Sequence, residues 1–177
     1  MPTKPQWTKQ LEALHACKEA VAWASQYPSL SEAWAVCERG DWMLWLIART
    51  LGNESRSTLV LAACECARLA LPYVPENEQR PLIAIETTEK WARGGDGITL
   101  DQVRSVADAA YAAVYAAYAV YAAYAAHAAT DAAHAAAYAA HAAAYAAHAA
   151  ARTKTLKQCA DIVRKHYPEA PKLKGAT

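Results

Sequence analysis

The sequence predicts an all-α protein, a single bundle of roughly six to eight helices, from three observations. Residues 107–151 hold 29 alanines among 45 positions and no Lys, Arg, Glu, Gly or Pro. Alanine is the strongest helix former and gives up no side-chain entropy on ordering, so this stretch reads as helix. Elsewhere, apolar residues recur at three- and four-residue spacing between capping signals. Nowhere does the chain carry the bounded apolar–polar alternation of a half-buried strand. At 177 residues it fits one domain with a real core, drawn at 1–167 with a frayed tail at 168–177.

The first helix is expected from about Thr8 to Tyr27, with Leu11, Leu14, Cys17, Val21 and Ala24 inward and Pro28 as its stop. Ser29 and Glu32 have capping-box spacing and open a short helix through Trp34 and Val36 that Gly40 should end. Asp41 is then placed to cap WMLWLIART, which has almost no polar face, so Trp42 and Leu46 are expected to be nearly inaccessible. Leu59, Ala63 and Ala67 should be equally buried in the next helix, about Arg56 to Leu71, whose polar stripe is only Thr58, Glu65 and Arg68. Pro72 and Pro75 frame a turn, and Pro81 suits the first turn of a helix that buries Ile85. Gly94, Gly95 and Gly97 make a loop, after which Thr99 and Gln102 form a second capping box that launches the alanine-rich stretch. A last helix from Thr153 should turn Leu156, Cys159, Ile162 or Val163, and His166 or Tyr167 inward before Pro168 ends it.

The alanine-rich stretch also has a register. Tyr111, Tyr115 and Tyr118 step by four and three, as do His127, Asp131, His134, Tyr138, His141, Tyr145 and His148. These are heptad seams with the large residues at the knob positions. Between them Tyr118, Tyr121, Tyr124 and His127 step by three, which turns the stripe by about 180° on a straight helix and puts the two seams on opposite sides. One helix from Leu100 to Ala151 would be roughly 80 Å long, against a radius of gyration of about 16 Å for a compact chain of this size. It must therefore project, pair or fold back, and Thr130-Asp131 is the place where a second helix could begin.

Composition narrows the classes of function. The net charge of +1 divides into seven Lys or Arg against two acids from Arg152 onward, and eleven against fifteen before it. A solvated basic tail explains this better than a nucleic-acid surface. Five cysteines form no paired framework, and Cys64 and Cys66, two apart in a helix, diverge; buried thiols in a reducing cytoplasm are expected. The N-terminal MPTKPQWTKQ has no signal-peptide core, and the Tyr and His of the alanine run make it a poor lipid helix, so no membrane partner is expected. No phosphate loop or nucleophile elbow is present, GGDG lacks the lysine of a phosphate loop, and no cofactor is indicated.

The segments DWMLWLIARTLGNESR, LAACECARLALPYVPENEQRPLIAIETTEKWARG and DAAYAAVYAAYAVYAAYAA are similar to the immunity-five-like family of immunity proteins from bacterial and phage genomes. The resemblance covers about Ser31 to Ala126 and the last helix from Arg152; the His127 to His148 segment departs from it by placing His where Tyr is expected. It implies a non-enzymatic cytoplasmic protein that neutralises a toxin or defence component by binding it. Two other readings stand beside it: a phage-type sponge for a nucleotide signal, and a structural oligomerisation module.

The residues themselves offer two candidate sets. Trp45, Arg49, Arg56, Arg68, Arg80, Trp91 and Arg93, with Tyr111, Tyr115 and Tyr118, could clamp a phosphate and stack a base, or present a low-entropy aromatic surface to a protein. The plainer alternative pairs each Arg with Glu54, Glu65, Glu86 or Glu89. His127, Asp131 and His134 stand at i, i+4 and i+7, a spacing that can chelate zinc or nickel, but packing in an alanine-lined seam is preferred and no metal is assigned. Tyr124, His127, His134, Tyr138, His141, Tyr145 and His148 form the candidate interface for a homo-oligomer.

That interface predicts pH-dependent self-association. A second copy supplying the same seam in antiparallel register would cover both surfaces by two-fold symmetry. Protonating four histidines on one stripe places like charges together, so association should weaken as pH falls through about 6.5. Sedimentation at about pH 8 and about pH 5.5 checks this; a monomer under both conditions refutes the oligomer, and an unchanged dimer refutes the histidine switch.

Overall fold

The chain begins with a helix that a histidine ends. In the computed structural model, which describes residues 5–51, 56–74, 76–95, 97–106 and 149–173, α1 spans Thr8–Ala13 and α2 spans Lys18–Ala24. The single helix expected over Thr8 to Tyr27 is therefore two. His15 takes a left-handed backbone, φ 64°, while the His15 N–H donates to Glu12 O at 2.9 Å and the Ala16 N–H to Leu11 O at 2.9 Å. Those two bonds make a Schellman stop, a role that glycine or asparagine usually fills; histidine is among the few other residues that enter this region. The break re-aims the chain, so Leu11, Val21 and Ala24 are buried as expected but Leu14 is half-buried and Cys17 is exposed.

Helix α3, Leu30–Val36, opens with the expected box: Ser29 Oγ accepts from the Glu32 N–H at 3.2 Å and donates to Glu32 Oε1 at 3.0 Å. It ends at Val36, not at Gly40, which instead begins α4, Gly40–Thr50. Arg39 is the N-cap of α4, and Asp41, expected there, lies in the first turn. A Cβ on Gly40 would stand 2.4 Å from Cys159 Cβ and 2.6 Å from Ala160 N, both in the last helix, α7, Ala149–His166. Glycine is required there because two backbones nearly touch, not because a helix stops.

Helices α4 and α5, Arg56–Arg68, form the centre with α7, which packs against both. Leu44, Ile47, Leu59, Ala63, Cys64, Cys66, Ala67, Cys159 and Val163 are almost wholly excluded from water, and burial pushes the Cys64 thiol pKa up. Leu46 is buried as expected, whereas Trp42 is half-buried, because one side of α4 faces a groove. A 3-10 turn at Leu71–Tyr73 leads to α6, Arg80–Ala92, with Pro81 in its first turn and Ile85 on α5. The Thr99–Gln102 box is formed, the Thr99 N–H donating to Gln102 Oε1 at 2.7 Å and the Gln102 N–H to Thr99 Oγ1 at 3.2 Å. Residues 100–106 are helical.

Helix α7 starts by Ala149, earlier than Thr153, and is the element to which others are tied. Arg164 Nη1 donates to Cys37 O at 2.7 Å and Trp34 O at 3.3 Å, satisfying carbonyls at the end of α3. Trp34 Nε1 donates to Tyr167 O at 3.2 Å, and Glu65 on α5 accepts from Lys165 and pairs with His166, both at 2.9 Å. Beyond it Ala170 and Leu173 lie partly buried against the core. All regular secondary structure among the described residues is helical, and none of these helices is long and apolar enough to cross a membrane.

Two outcomes follow from the packing. Gly40→Ala forces a Cβ into the α4–α7 contact, and because backbone atoms cannot step aside it should cost roughly 1–3 kcal/mol in urea unfolding. The Arg68 fork on Glu89, 2.8 and 3.0 Å, joins α5 to α6 and holds the Glu89 carboxyl below its ordinary value, against the opposing effect of burial. A depressed folded pKa gives stability that is present above the ordinary value of 4.5 and lost as pH falls through the lower folded value. Wild type should therefore be the more stable protein near neutrality, with its margin over Glu89→Gln shrinking as unfolding is measured at pH values below 4.5.

Candidate functional site: a tryptophan groove

Five of the six tryptophans fall in the first 45 residues, and the fold brings all five to one place. Trp7 precedes α1, Trp23 lies near the end of α2, Trp34 on α3, and Trp42 and Trp45 on successive turns of α4. Together with Thr153 and Leu156 of α7 they line a groove of about 940 Å³. That volume is within the range of sites that hold drug-sized ligands or several side chains of a partner.

The aromatic walls are held from behind. Trp7 Nε1 donates to Tyr27 O at 3.3 Å, which ties α1 to the turn after α2, and Trp34 Nε1 reaches Tyr167 O. With its N–H satisfied, the half-buried Trp7 indole can present apolar surface, while Trp34, buried, backs the groove from the core. Trp23 bridges inward, its ring 4.8 Å from Tyr27 and 5.9 Å from Trp42, tilted by 49° and 56°. Tilted contacts of this kind are favourable for aromatic pairs.

Charge enters at the N-terminus of α4. Arg39 forks onto Asp41 with Nε–Oδ1 2.8 Å and Nη2–Oδ2 2.6 Å, and its guanidinium lies 4.0 Å from the centre of the Trp42 ring. The hydrogen bonds that Arg39 donates to Asp41 raise the Arg39 pKa, and the Asp41 side chain is 1% exposed. The first turn of a helix favours a carboxylate, so α4 supplies part of the compensation for burying it. The Cys37 thiol, pushed up to about 11 by burial, donates to Arg39 O at 3.7 Å and stays neutral. Glu19, Glu38 and His15 complete the polar part of the lining. Among the described residues no group of three His, Cys, Asp or Glu could hold a metal ion.

Residues 49–172 match the Imm-5 like putative immunity protein family, which is more than half of the chain. The chain belongs to this family. No curated protein and no solved structure matches it. The matched stretch takes in α5, α6 and α7, whereas 20 of the 22 residues lining the groove precede it.

Of the expected binding residues that the structure describes, only Trp45 lines the groove. Arg49 stacks over Trp45 at 5.8 Å and is exposed, Trp91 is half-buried on α6, and Arg93 pairs with Glu89 at 3.3 Å. Arg56 opens α5. Arg68 is engaged by Glu89, as the plainer alternative had it, and Arg80 by Glu78, a partner not foreseen. Tyr111, Tyr115, Tyr118, Tyr124, His127, His134, Tyr138, His141, Tyr145 and His148 lie outside the described residues, as do the change of seam and the break at Thr130. Trp7, Trp23, Trp34, Arg39 and Asp41 were missed. Their signal was the crowding of tryptophan before Thr50, which helix-by-helix periodicity does not register.

Removing the fork tests how the groove floor is held. Arg39→Met keeps a stem over Trp42 but takes the guanidinium fork away from the buried Asp41 carboxylate, and should cost about 1.5–3 kcal/mol in urea unfolding. Adding Asp41→Asn should restore part of that loss, since the buried side chain is then neutral.

Proposed function

We propose that this immunity protein acts by binding: it neutralises a toxin or defence component by covering it, and the tryptophan groove is the contact surface. Membership of the family supports an immunity role, and the groove is the observation that carries the mode of action. Tryptophan is enriched where binding energy concentrates, because a large stiff ring buries much area at little entropic cost. Here five such rings converge on one concavity. Capture of a nucleotide would call for a cation turned to phosphate, yet the arginine of the groove is forked onto Asp41. A cytoplasmic location is part of the proposal, supported by five free cysteines, which suit a reducing compartment. Self-association through the alanine-rich segment belongs to the same proposal.

A growth assay tests this reading. Cells that express the toxic product of a reading frame neighbouring the gene should grow when the wild-type chain is co-expressed. The Trp23→Ala, Trp45→Ala double variant should protect at least about tenfold less well at equal soluble level, the loss expected when roughly 1.4 kcal/mol of contact energy is removed. Failure of the wild type to protect refutes neutralisation, and full protection by the variant refutes the groove.

A further inference from the structure

The walls of the groove are aromatic, and its carboxylates are in excess. Glu19, Glu38 and Asp41 line it against a single arginine, Arg39. Two of the three acids are engaged: Asp41 holds the Arg39 fork, and Glu38 pairs with Lys157 across to α7. Glu19, in the first turn of α2, has no ion pair among the described residues, and its charge is felt at Arg39. A cation entering the groove meets an unneutralised carboxylate and the negative faces of several indoles. An anion meets three carboxylates and a guanidinium whose Nε–Nη2 edge is already held by Asp41.

The groove also displays how it holds a cation. Arg39 Cζ stands over the Trp42 ring, 4.0 Å from its centre, a distance at which a guanidinium is attracted to an indole face. Trp23, packed on Trp42 at 5.9 Å, and Trp45, one turn along α4, extend the same aromatic surface beyond the ring that Arg39 covers. A volume of about 940 Å³ far exceeds one side chain, so the occupant brings apolar groups as well as charge.

We propose that the groove receives a basic, amphipathic peptide segment of the partner protein, its apolar side chains on Trp7 and Trp45 and an Arg or Lys beside Glu19 and Trp23. This deepens the neutralisation reading and rests on it for the identity of the partner. It assigns recognition to residues that precede the matched stretch 49–172.

Titration with synthetic peptides tests it, read by tryptophan emission, since five of the six indoles line the groove. The probes are helical peptides of about four turns, roughly fourteen residues, built from Leu with Lys, Leu with Glu, or Leu with Gln. The Leu/Lys peptide should shift emission to shorter wavelength and bind at least about tenfold more tightly than either other. Its affinity should fall between roughly 50 and 200 mM salt, as screening weakens the attraction. Glu19→Lys, an exposed change, should reduce Leu/Lys binding about tenfold while keeping a cooperative melting transition, lowered only by the cost of reversing one charge in the first turn of α2, and Trp45→Ala should weaken all three peptides alike. Equal or tighter binding of the Leu/Glu peptide, an unaffected Glu19→Lys variant, or no emission change with any peptide overturns the proposal. The growth assay separates the two readings. Protection that depends on the Trp23 and Trp45 rings, with no preference for Leu/Lys, leaves neutralisation standing and removes the cationic occupant. Selective Leu/Lys binding without protection does the reverse.

Discussion

The approach of α4 to α7 at Gly40 is the contact on which the arrangement of the other helices depends. A missing side chain lets the first turn of α4 come against Cys159 and Ala160 closely enough that even a methyl group would collide. Once that contact is made, α7 lies within reach of α3 on one side and α5 on the other. Arg164 can then satisfy the carbonyls of Trp34 and Cys37, while Lys165 and His166 meet Glu65. A bulkier residue at position 40 would tilt α4 away and loosen each of these in turn, because close-packed interiors transmit displacement. The same contact positions Thr153 and Leu156 at the edge of the groove, so the groove inherits its shape from a backbone contact elsewhere.

Elements specified locally were legible in the sequence. Ser29 with Glu32, Pro81, and Thr99 with Gln102 each act within one helical turn, and each is found where the pattern puts it. The apolar α4 and α5 were likewise readable as central, since a helix without a polar face has nowhere else to go. What periodicity could not show was the division of α1 from α2. The apolar spacing runs unbroken from Leu11 to Ala24, and the residue that turns the chain is a histidine rather than a glycine. Gly40 misled for the complementary reason. A glycine after an apolar run reads as a C-cap, whereas its cause here is a neighbour more than a hundred residues away.

The groove was hidden for a related physical reason. Each tryptophan, taken on its own helix, looks like a core residue, and the sequence carries no sign that α1, α2, α3 and α4 leave a gap where five of them meet. Arg39 and Asp41 looked like an ordinary helix start, yet the pair is nearly buried on the Asp41 side and lies under an indole. Of the arginines singled out in advance as a candidate clamp, Arg68 and Arg93 are engaged by Glu89 of α6, and Arg80 by Glu78 just before that helix.

The division between the matched stretch and the groove gives the molecule a physical logic. Helices α5, α6 and α7 supply the tight, small-residue core of Ala and Cys, where close packing leaves little room for substitution. The preceding helices are short, six to eleven residues, and such helices owe their stability to docking rather than to their own propensity. They dock through large rings and leave space between them, an arrangement that can change in outline without disturbing the core. Recognition placed on α1 to α4 could thus be altered one ring or one carboxylate at a time. Glu19 is the simplest case: it is exposed, carries no ion pair among the described residues, and faces the groove from a helix whose backbone does not depend on it. A surface that changes while its support holds is what a binder needs if its partners vary, and here the support begins where Gly40 lets α4 rest on α7.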